Sequence, residues 1–393
     1  MTNINYTTTN PMDRDKVLET AVNDLYSGGF IGLNNFKPSN TSTLRRMLAD
    51  ASAGYASSRL FVSGMSTEAG CGALGTGYVA NGRSKSWPMQ LANLLNKNGY
   101  NADAGWIIGG GDRNSSTLPT FDTRITLTNA AEAPAQQSAG GRCILLTAST
   151  GVVTFTPGFT FDRVVVMTWG FPGNAFATIT VNGGAQTATT GNTPGGGDLN
   201  YTTLSCTAST TVTLTAGAGG SGCYVQAIGC YDSTKPGISI LNAGWGGSVM
   251  TDWSTDVQAG PNAFVKGALG SGQLNATIAC HDINDALNSL SLSAYTANLT
   301  SWLTYLKTKG DVILKLSPDV GATSVPAANK VSYWDASLNV AKTLDIPWID
   351  LRVVLPDRVD SIAKGISRDD LHNTARGYSI EAQAIYKGLT HLI

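Results

Sequence analysis

One long stretch of this chain is almost free of charge, and that constrains its fold more than any other feature. Between Ala131 and Tyr231, 101 residues hold only Glu132, Arg142, Asp162, Arg163 and Asp198, while the other 292 hold 48 of the 53 charges. Thr, Gly, Val and aromatic residues take their place. VVTFTPGFTFDRVVVMTW, ATITVNG and TTVTLTAG alternate with turns such as NGGAQ and GNTPGGG. Short β-branched runs at close spacing, with turn signals between them, predict an antiparallel sandwich or jelly roll.

On both sides of this stretch the texture changes to strands alternating with amphipathic helices. RLFVSG (59–64) is a short apolar run ending in Gly. SWPMQLANLLNKNG (86–99) opens with Ser before Trp-Pro, places Leu91, Leu94 and Leu95 on one face, and stops at Gly99. ISILNAGW, ATIACH, VILKLSP and IPWIDLR read as buried strands. Between them, SAYTANLTSWLTYLKTKG carries Leu299, Trp302, Leu303 and Leu306 at helical spacing, and ARGYSIEAQAIYKGL reads as a last helix. Such alternation implies a parallel sheet with helices on both faces. The expected organisation is an N-terminal segment (1–45), an α/β domain in two parts (46–113 and 233–393), and an inserted β-sandwich (114–232). Within the first segment, MDRDKVLETAVNDLYSGG reads as a short helix closed by Gly28-Gly29.

Composition excludes several functions. The chain has 393 residues, 42% hydrophobic and 13% charged, with a net charge of -1. That balance offers no electrostatic footprint for nucleic acid or an anionic membrane surface. No apolar run is long enough to span a bilayer, so no membrane insertion is expected. MTNINYTTTNPMDRDK lacks the basic start and apolar core of a secretory signal. The six cysteines (Cys71, Cys143, Cys206, Cys223, Cys230, Cys280) form no CxxC pair, which argues against zinc or thioredoxin chemistry. They read as small buried apolar residues, with a bridge among Cys206, Cys223 and Cys230 as the alternative. Neither metal nor cofactor is expected. Only His281, His372 and His391 can serve as an imidazole base, and His391 sits at a chain end, where backbones fray.

Ligands of doubly wound sheets bind beyond the C-terminal ends of strands, which directs attention to the segments that follow each one. After the first comes Gly64-Met65-Ser66-Thr67-Glu68-Ala69-Gly70; a Ser at a strand-to-helix turn exposes its hydroxyl, but it equally caps a helix. Next is Asn242-Ala243-Gly244-Trp245-Gly246-Gly247-Ser248, whose glycines can aim a backbone N–H into a cleft or simply form a turn. Cys280-His281-Asp282-Ile283-Asn284-Asp285 follows the third, and its Asn can donate to an oxyanion or close an Asx turn. In Asp369-Asp370-Leu371-His372-Asn373, an Asp three residues before a His can meet the imidazole Nδ1–H or cap the final helix.

In this order the four segments resemble the sequence blocks of the SGNH (GDSL) hydrolases: Gly-x-Ser-x-x-x-Gly, Asn-x-Gly-x-x-Gly, x-x-Asn-Asp and Asp-x-x-His. The resemblance covers about 59–113 and 236–393, and SKSWPMQLANLL and HNTARGYSIEAQAI extend it. It implies a doubly wound α/β fold and a serine esterase. Ser66 would be the nucleophile, His372 the base and Asp369 its orienting acid. The Ser66 N–H, the Gly247 N–H and the Asn284 side chain would form the oxyanion hole, with Gly246 in place of Gly247 if the register is off by one. Two departures stand out. Met65 occupies the place of the family's Asp, and Asp282, preceded by His281, that of a Gly. A Thr/Gly-rich β insert with Trp169, Phe171, Phe176, Tyr201 and Tyr224 looks like a carbohydrate-binding module that stacks aromatic faces on sugars, although aromatics of this kind more often pack in a core. An acetylated polysaccharide is therefore the expected partner, and removal of its O-acetyl groups the expected reaction. The N-terminal texture is similar to phage tail-fibre or tailspike proteins. That similarity implies a trimer in a virion tail or outside the cell; otherwise a cytoplasmic location is expected. The alternatives are an acetylxylan or lipid esterase and a non-catalytic glycan-binding tail protein.

Overall fold

A computed structural model describes residues 32–109, 118–147, 150–170, 177–181, 184–189, 198–217, 222–254, 261–269, 274–321, 323–355 and 357–390. The helix expected over 12–29, on which the tail-protein similarity leaned, lies outside them, as do Phe171, Phe176 and His391.

Seven strands form the central sheet: β1 (Leu33–Asn34), β2 (Ser58–Gly64), β3 (Ala102–Asp103), β4 (Ile238–Gly244), β5 (Leu274–Ala279), β6 (Asp311–Leu316) and β7 (Trp348–Asp350). Their order is β1-β7-β6-β5-β2-β4-β3. All neighbours are parallel except β1, which lies antiparallel at the edge against β7. Every residue of β2 and β4 is buried, as expected for central strands covered on both faces.

The strand period sends alternate side chains to two separate cores. Leu60, Val62, Ile240, Ile278 and Ile313 pack with helices α1 (Ser42–Ala53), α2 (Trp87–Lys97) and α5 (Ala375–Thr390). Phe61, Leu241, Ala243, Ala279 and Leu314 pack on the other face with α3 (Leu292–Lys307) and α4 (Ala327–Thr343). The doubly wound parallel sheet expected from the strand-helix alternation is the fold found.

The described residues between 125 and 231 form antiparallel sheets. Ile125–Thr128, Val152–Phe155, Ala177–Val181, Gly184–Thr189 and Val212–Ala216 make one. Ala130–Ser138, Gly141–Leu146, Phe161–Gly170, Asp198–Ser209 and Cys223–Tyr231 make the other, joined by Trp106–Ile108 from the α/β part. The two sheets share a core: Val153, Phe155 and Leu214 of one meet Val164, Val166 and Ile228 of the other.

The second sheet is buried on its other face as well. Val165 and Met167 pack with Phe61, Leu241 and Phe264 of the α/β core. This explains the VVVM run and much of the missing charge, because a strand covered on both faces has no solvent side on which to carry polar residues. Of the aromatics in the insert, Trp169 is a packing group, whereas Tyr201 and Tyr224 are half-buried. Trp169 is 4% exposed against Cys143, and Tyr224 rests on that pair. The Tyr201 hydroxyl accepts a hydrogen bond from Arg59 at 3.0 Å.

All six cysteines are free, five buried and Cys206 half-buried, so the bridge considered among Cys206, Cys223 and Cys230 is not formed. Burial pushes the Cys223 thiol up to about 12, which leaves it unreactive. Among the described residues, no helix is long and apolar enough to cross a membrane, and no cluster of His, Cys, Asp or Glu could hold a metal ion.

Candidate active site

The parallel register brings three strand ends together. In the pairing, β2 Gly64 lies opposite β4 Gly244, and β2 Ser63 opposite β5 Ala279. Residues just after each strand therefore emerge side by side, with those of β2 in the middle.

After Gly64 the backbone stays extended at Met65 (φ -107°, ψ -154°) and then enters a one-turn helix, Ser66–Ala69, closed by Gly70 at φ +96°. Glu68 folds back over this turn. One of its oxygens accepts the Met65 N–H at 2.8 Å and the Thr67 hydroxyl at 2.8 Å. Two glycines make room. A Cβ on Gly64 would stand 2.4 Å from Glu68 Cγ, and one on Gly244 would stand 2.0 Å from the Ala69 nitrogen. Asn242 adds a hydrogen bond from its amide to the Glu68 carbonyl at 2.9 Å.

On the loop before α5, His372 reaches this turn. Its Nε2 is 3.0 Å from Ser66 Oγ. Its Nδ1 is 3.1 Å from both carboxylate oxygens of Asp369. The same Asp369 Oδ1 also accepts the backbone N–H groups of His372 (2.7 Å) and Leu371 (2.8 Å), so one carboxylate shapes the loop and orients the ring. Burial works against the Asp369 charge, but the His372 side chain and these N–H groups prevail and hold the carboxyl below its usual range. An ionised acceptor at Nδ1 fixes the proton there and leaves Nε2 free to take one from Ser66. Gly72 (φ +82°) passes beneath, where a Cβ would come 2.6 Å from that of His372.

The other expected groups lie on the neighbouring strand ends. Gly247, three residues after β4, is exposed and adopts φ +73°, a conformation that favours glycine. Gly246 is buried, which favours Gly247 as the group facing solvent. Asn284, near the end of β5, spends one amide N–H on the Ser248 carbonyl at 2.8 Å, tying the second and third segments together.

Both departures from the SGNH pattern have a structural account. Met65 is 1% exposed and part of the apolar core, and Glu68 braces the turn in which the family's Asp is expected. Asp282 is buried and ties the end of β5 to the end of β6, accepting the Ser317 hydroxyl at 2.6 Å and the Ser317 N–H at 3.0 Å. His281 is equally occupied. Its Nε2 lies 2.7 Å from Ser63 Oγ, its ring is 4.8 Å from that of Trp253, and burial pushes its pKa down to about 3. It is a neutral core histidine.

Glu68, Lys315 and Glu381, none of which the sequence reading singled out, meet behind the site. A charge inside an apolar strand (VILKL) and another on the buried face of a helix (SIEAQAI) were the available signals.

No family model matches the chain, and no curated protein does. Among solved structures, it is similar to a peptidoglycan O-acetylesterase, with a TM-score of 0.67 and 15% identity over 89% of this chain and 95% of that one. The uncovered tenth is far shorter than residues 125–231, so the shared fold extends into the β-rich part. Shorter matches include an acetylxylan esterase from Geobacillus stearothermophilus (TM-score 0.33, 16% identity, 39% of this chain and 73% of that one). Another is a putative lipolytic protein of the G-D-S-L family from Desulfitobacterium hafniense (TM-score 0.32, 16% identity, 38% and 81%).

Proposed function

We propose that this chain is a serine esterase of the SGNH type that removes O-acetyl groups from a polysaccharide through an acyl-enzyme. The observation that carries the reading is the continuous hydrogen-bonded chain from Ser66 Oγ through His372 to Asp369. A caps-and-turns reading of the same residues gives no reason for a serine hydroxyl, an imidazole and a carboxylate from segments 306 positions apart to line up.

In the proposed reaction, His372 Nε2 takes the Ser66 proton as Oγ attacks the ester carbonyl. The tetrahedral oxyanion is held by the Ser66 N–H, the Gly247 N–H and the free Asn284 N–H. Collapse releases the sugar hydroxyl, protonated by His372, and leaves acetyl-Ser66. Water activated by His372 then returns acetate and free enzyme.

An acetylated glycan is supported as substrate by the fold shared with a peptidoglycan O-acetylesterase. Hydrolysis of 4-nitrophenyl acetate, and acetate release from O-acetylated peptidoglycan and capsular polysaccharides, test the reading. Wild type is expected to hydrolyse the acetyl ester, whereas Ser66→Ala and His372→Ala retain less than about a thousandth of its kcat. Inert wild type towards every acetyl ester would overturn the esterase reading. Preference for long acyl chains would replace the polysaccharide with a lipid.

A further inference from the structure

We infer that Lys315 is a positioning residue, whose buried ammonium ties the serine turn to the histidine loop and keeps Ser66 and His372 in register. The inference rests on the esterase reading for its kinetic arm alone.

Lys315 points out of β6 into a site where it and both its partners are fully buried. Its Nζ is 2.7 Å from Glu68 Oε1 and 2.8 Å from Glu381 Oε2. Each carboxylate spends its other oxygen on one side of the site. Glu68 Oε2 accepts the N–H of Met65, the residue before Ser66. Glu381 Oε1 accepts the amide of Asn373, the residue after His372. Asn373 in turn accepts Arg358 Nη1 at 2.8 Å, and Arg358 Nε donates to the Asp369 carbonyl at 2.9 Å. One ammonium thus closes a path from the backbone beside the expected nucleophile to the backbone on both sides of its base.

Charge makes this path stiff. Two carboxylates face one ammonium with all three side chains fully buried, so neither can let go without leaving an uncompensated buried charge. Burial pushes Glu68 up, yet Lys315 together with the Met65 N–H and the Thr67 hydroxyl outweighs it and holds that carboxyl below its usual range, whereas burial keeps Glu381 above. The ionised Glu68–Lys315 pair therefore anchors the serine side, and Glu381 passes the restraint to the histidine side. Serine-to-imidazole distance is the quantity this restraint protects, and an error of about 1 Å there costs about 100-fold in rate.

Lys315→Met and the milder Glu68→Gln are compared with Ile144→Ala, a core variant in the β-rich part chosen to match their loss of thermal stability. Two readouts are taken below all melting temperatures: steady-state hydrolysis of 4-nitrophenyl acetate, and the downfield proton resonance of His372 Nδ1–H in its bond to Asp369. Expected are a 10- to 100-fold fall in kcat with KM within about twofold for Lys315→Met, a smaller fall for Glu68→Gln, and a shifted or exchange-broadened resonance in both. Ile144→Ala should change neither. Unchanged kcat and an unchanged resonance in Lys315→Met, or in Glu68→Gln if Lys315→Met does not fold, would overturn the inference. So would Ile144→Ala matching the losses. If wild type hydrolyses no ester but the resonance still moves in the Lys315 or Glu68 variant and not in Ile144→Ala, the esterase reading fails and the positioning role stands.

Discussion

Replacing Asp369 with Asn changes one oxygen for an NH2 group and isolates what the carboxylate does for His372. Asp369 Oδ1 already accepts the N–H groups of Leu371 and His372 at 2.8 and 2.7 Å, and an Asn carbonyl oxygen can keep both. The NH2 then falls where Oδ2 stands, 3.1 Å from His372 Nδ1. A donor there forces Nδ1 to accept, which moves the ring proton to Nε2, 3.0 Å from Ser66 Oγ. That nitrogen then has no lone pair for the serine proton. The loop should survive while general-base catalysis does not, with kcat on 4-nitrophenyl acetate falling about 10,000-fold, or about 5.4 kcal/mol in barrier. Melting temperature at neutral pH should drop by the charge contribution alone, because the backbone bonds remain. The Asp369 carboxyl lies below its usual range in the folded chain, so its contribution to stability is present above the ordinary carboxylate range and fades as pH falls through the folded value. Wild type and Asp369→Asn should therefore converge in stability in strong acid. An Asn variant within tenfold of wild-type kcat would refute the tautomer argument, and with it the assignment of Asp369 as the orienting acid.

Two further outcomes follow from neighbouring groups. Asn284→Ala removes a proposed oxyanion donor and its bond to the Ser248 carbonyl, so kcat should fall about 100- to 1000-fold with KM little changed, in the same assay. Asp285 accepts the Met250 N–H at 2.9 Å, and burial first, then Asp252, raises its carboxyl from 3.8 to about 7. A raised carboxyl stabilises the fold below its unfolded pKa and loses that contribution as pH rises through the folded one, up to about 4 kcal/mol by pH 8. Asp285→Asn keeps the acceptor without the charge. Urea unfolding should show the variant gaining on wild type between pH 5 and pH 8, and parallel pH profiles would count against it.

The parts of this fold legible in the sequence are those set by short-range pattern. Apolar strands ending at Gly64 and Gly244, and a helix with Leu299, Trp302, Leu303 and Leu306 on one face, carry their signal within a dozen residues. α4 carried none that was read, because AANKVSYWDASLNVAKT buries Tyr333, Trp334, Val340 and Ala341 without a clean apolar stripe. β1, two residues at a sheet edge, is fixed by its pairing with Trp348 and Ile349 rather than by its own composition. The β-rich stretch was visible as a texture, but its relation to the rest was not. Val165 and Met167 reach the α/β core only because Val164 and Val166 face the opposite way, and a run of four apolar residues does not say which neighbours it has.

The site divides along the same line. Ser66, Asp369 and His372 stand in segments whose local spacing already points to chemistry, and the structure brings the three within hydrogen-bond reach. Glu68, Lys315 and Glu381 lie far apart in sequence, and nothing near any of them announces the others. What Lys315 and Glu381 do announce is a contradiction: a charge where the strand or helix period calls for an apolar side chain. A buried ammonium in β6 requires an acid, and acids that are themselves buried require a base, so such misfits find their meaning only as a set. In this chain the set sits behind the proposed nucleophile and base. Local pattern therefore reveals the groups suited to the chemistry, whereas the misfit charges mark the groups that hold them in place.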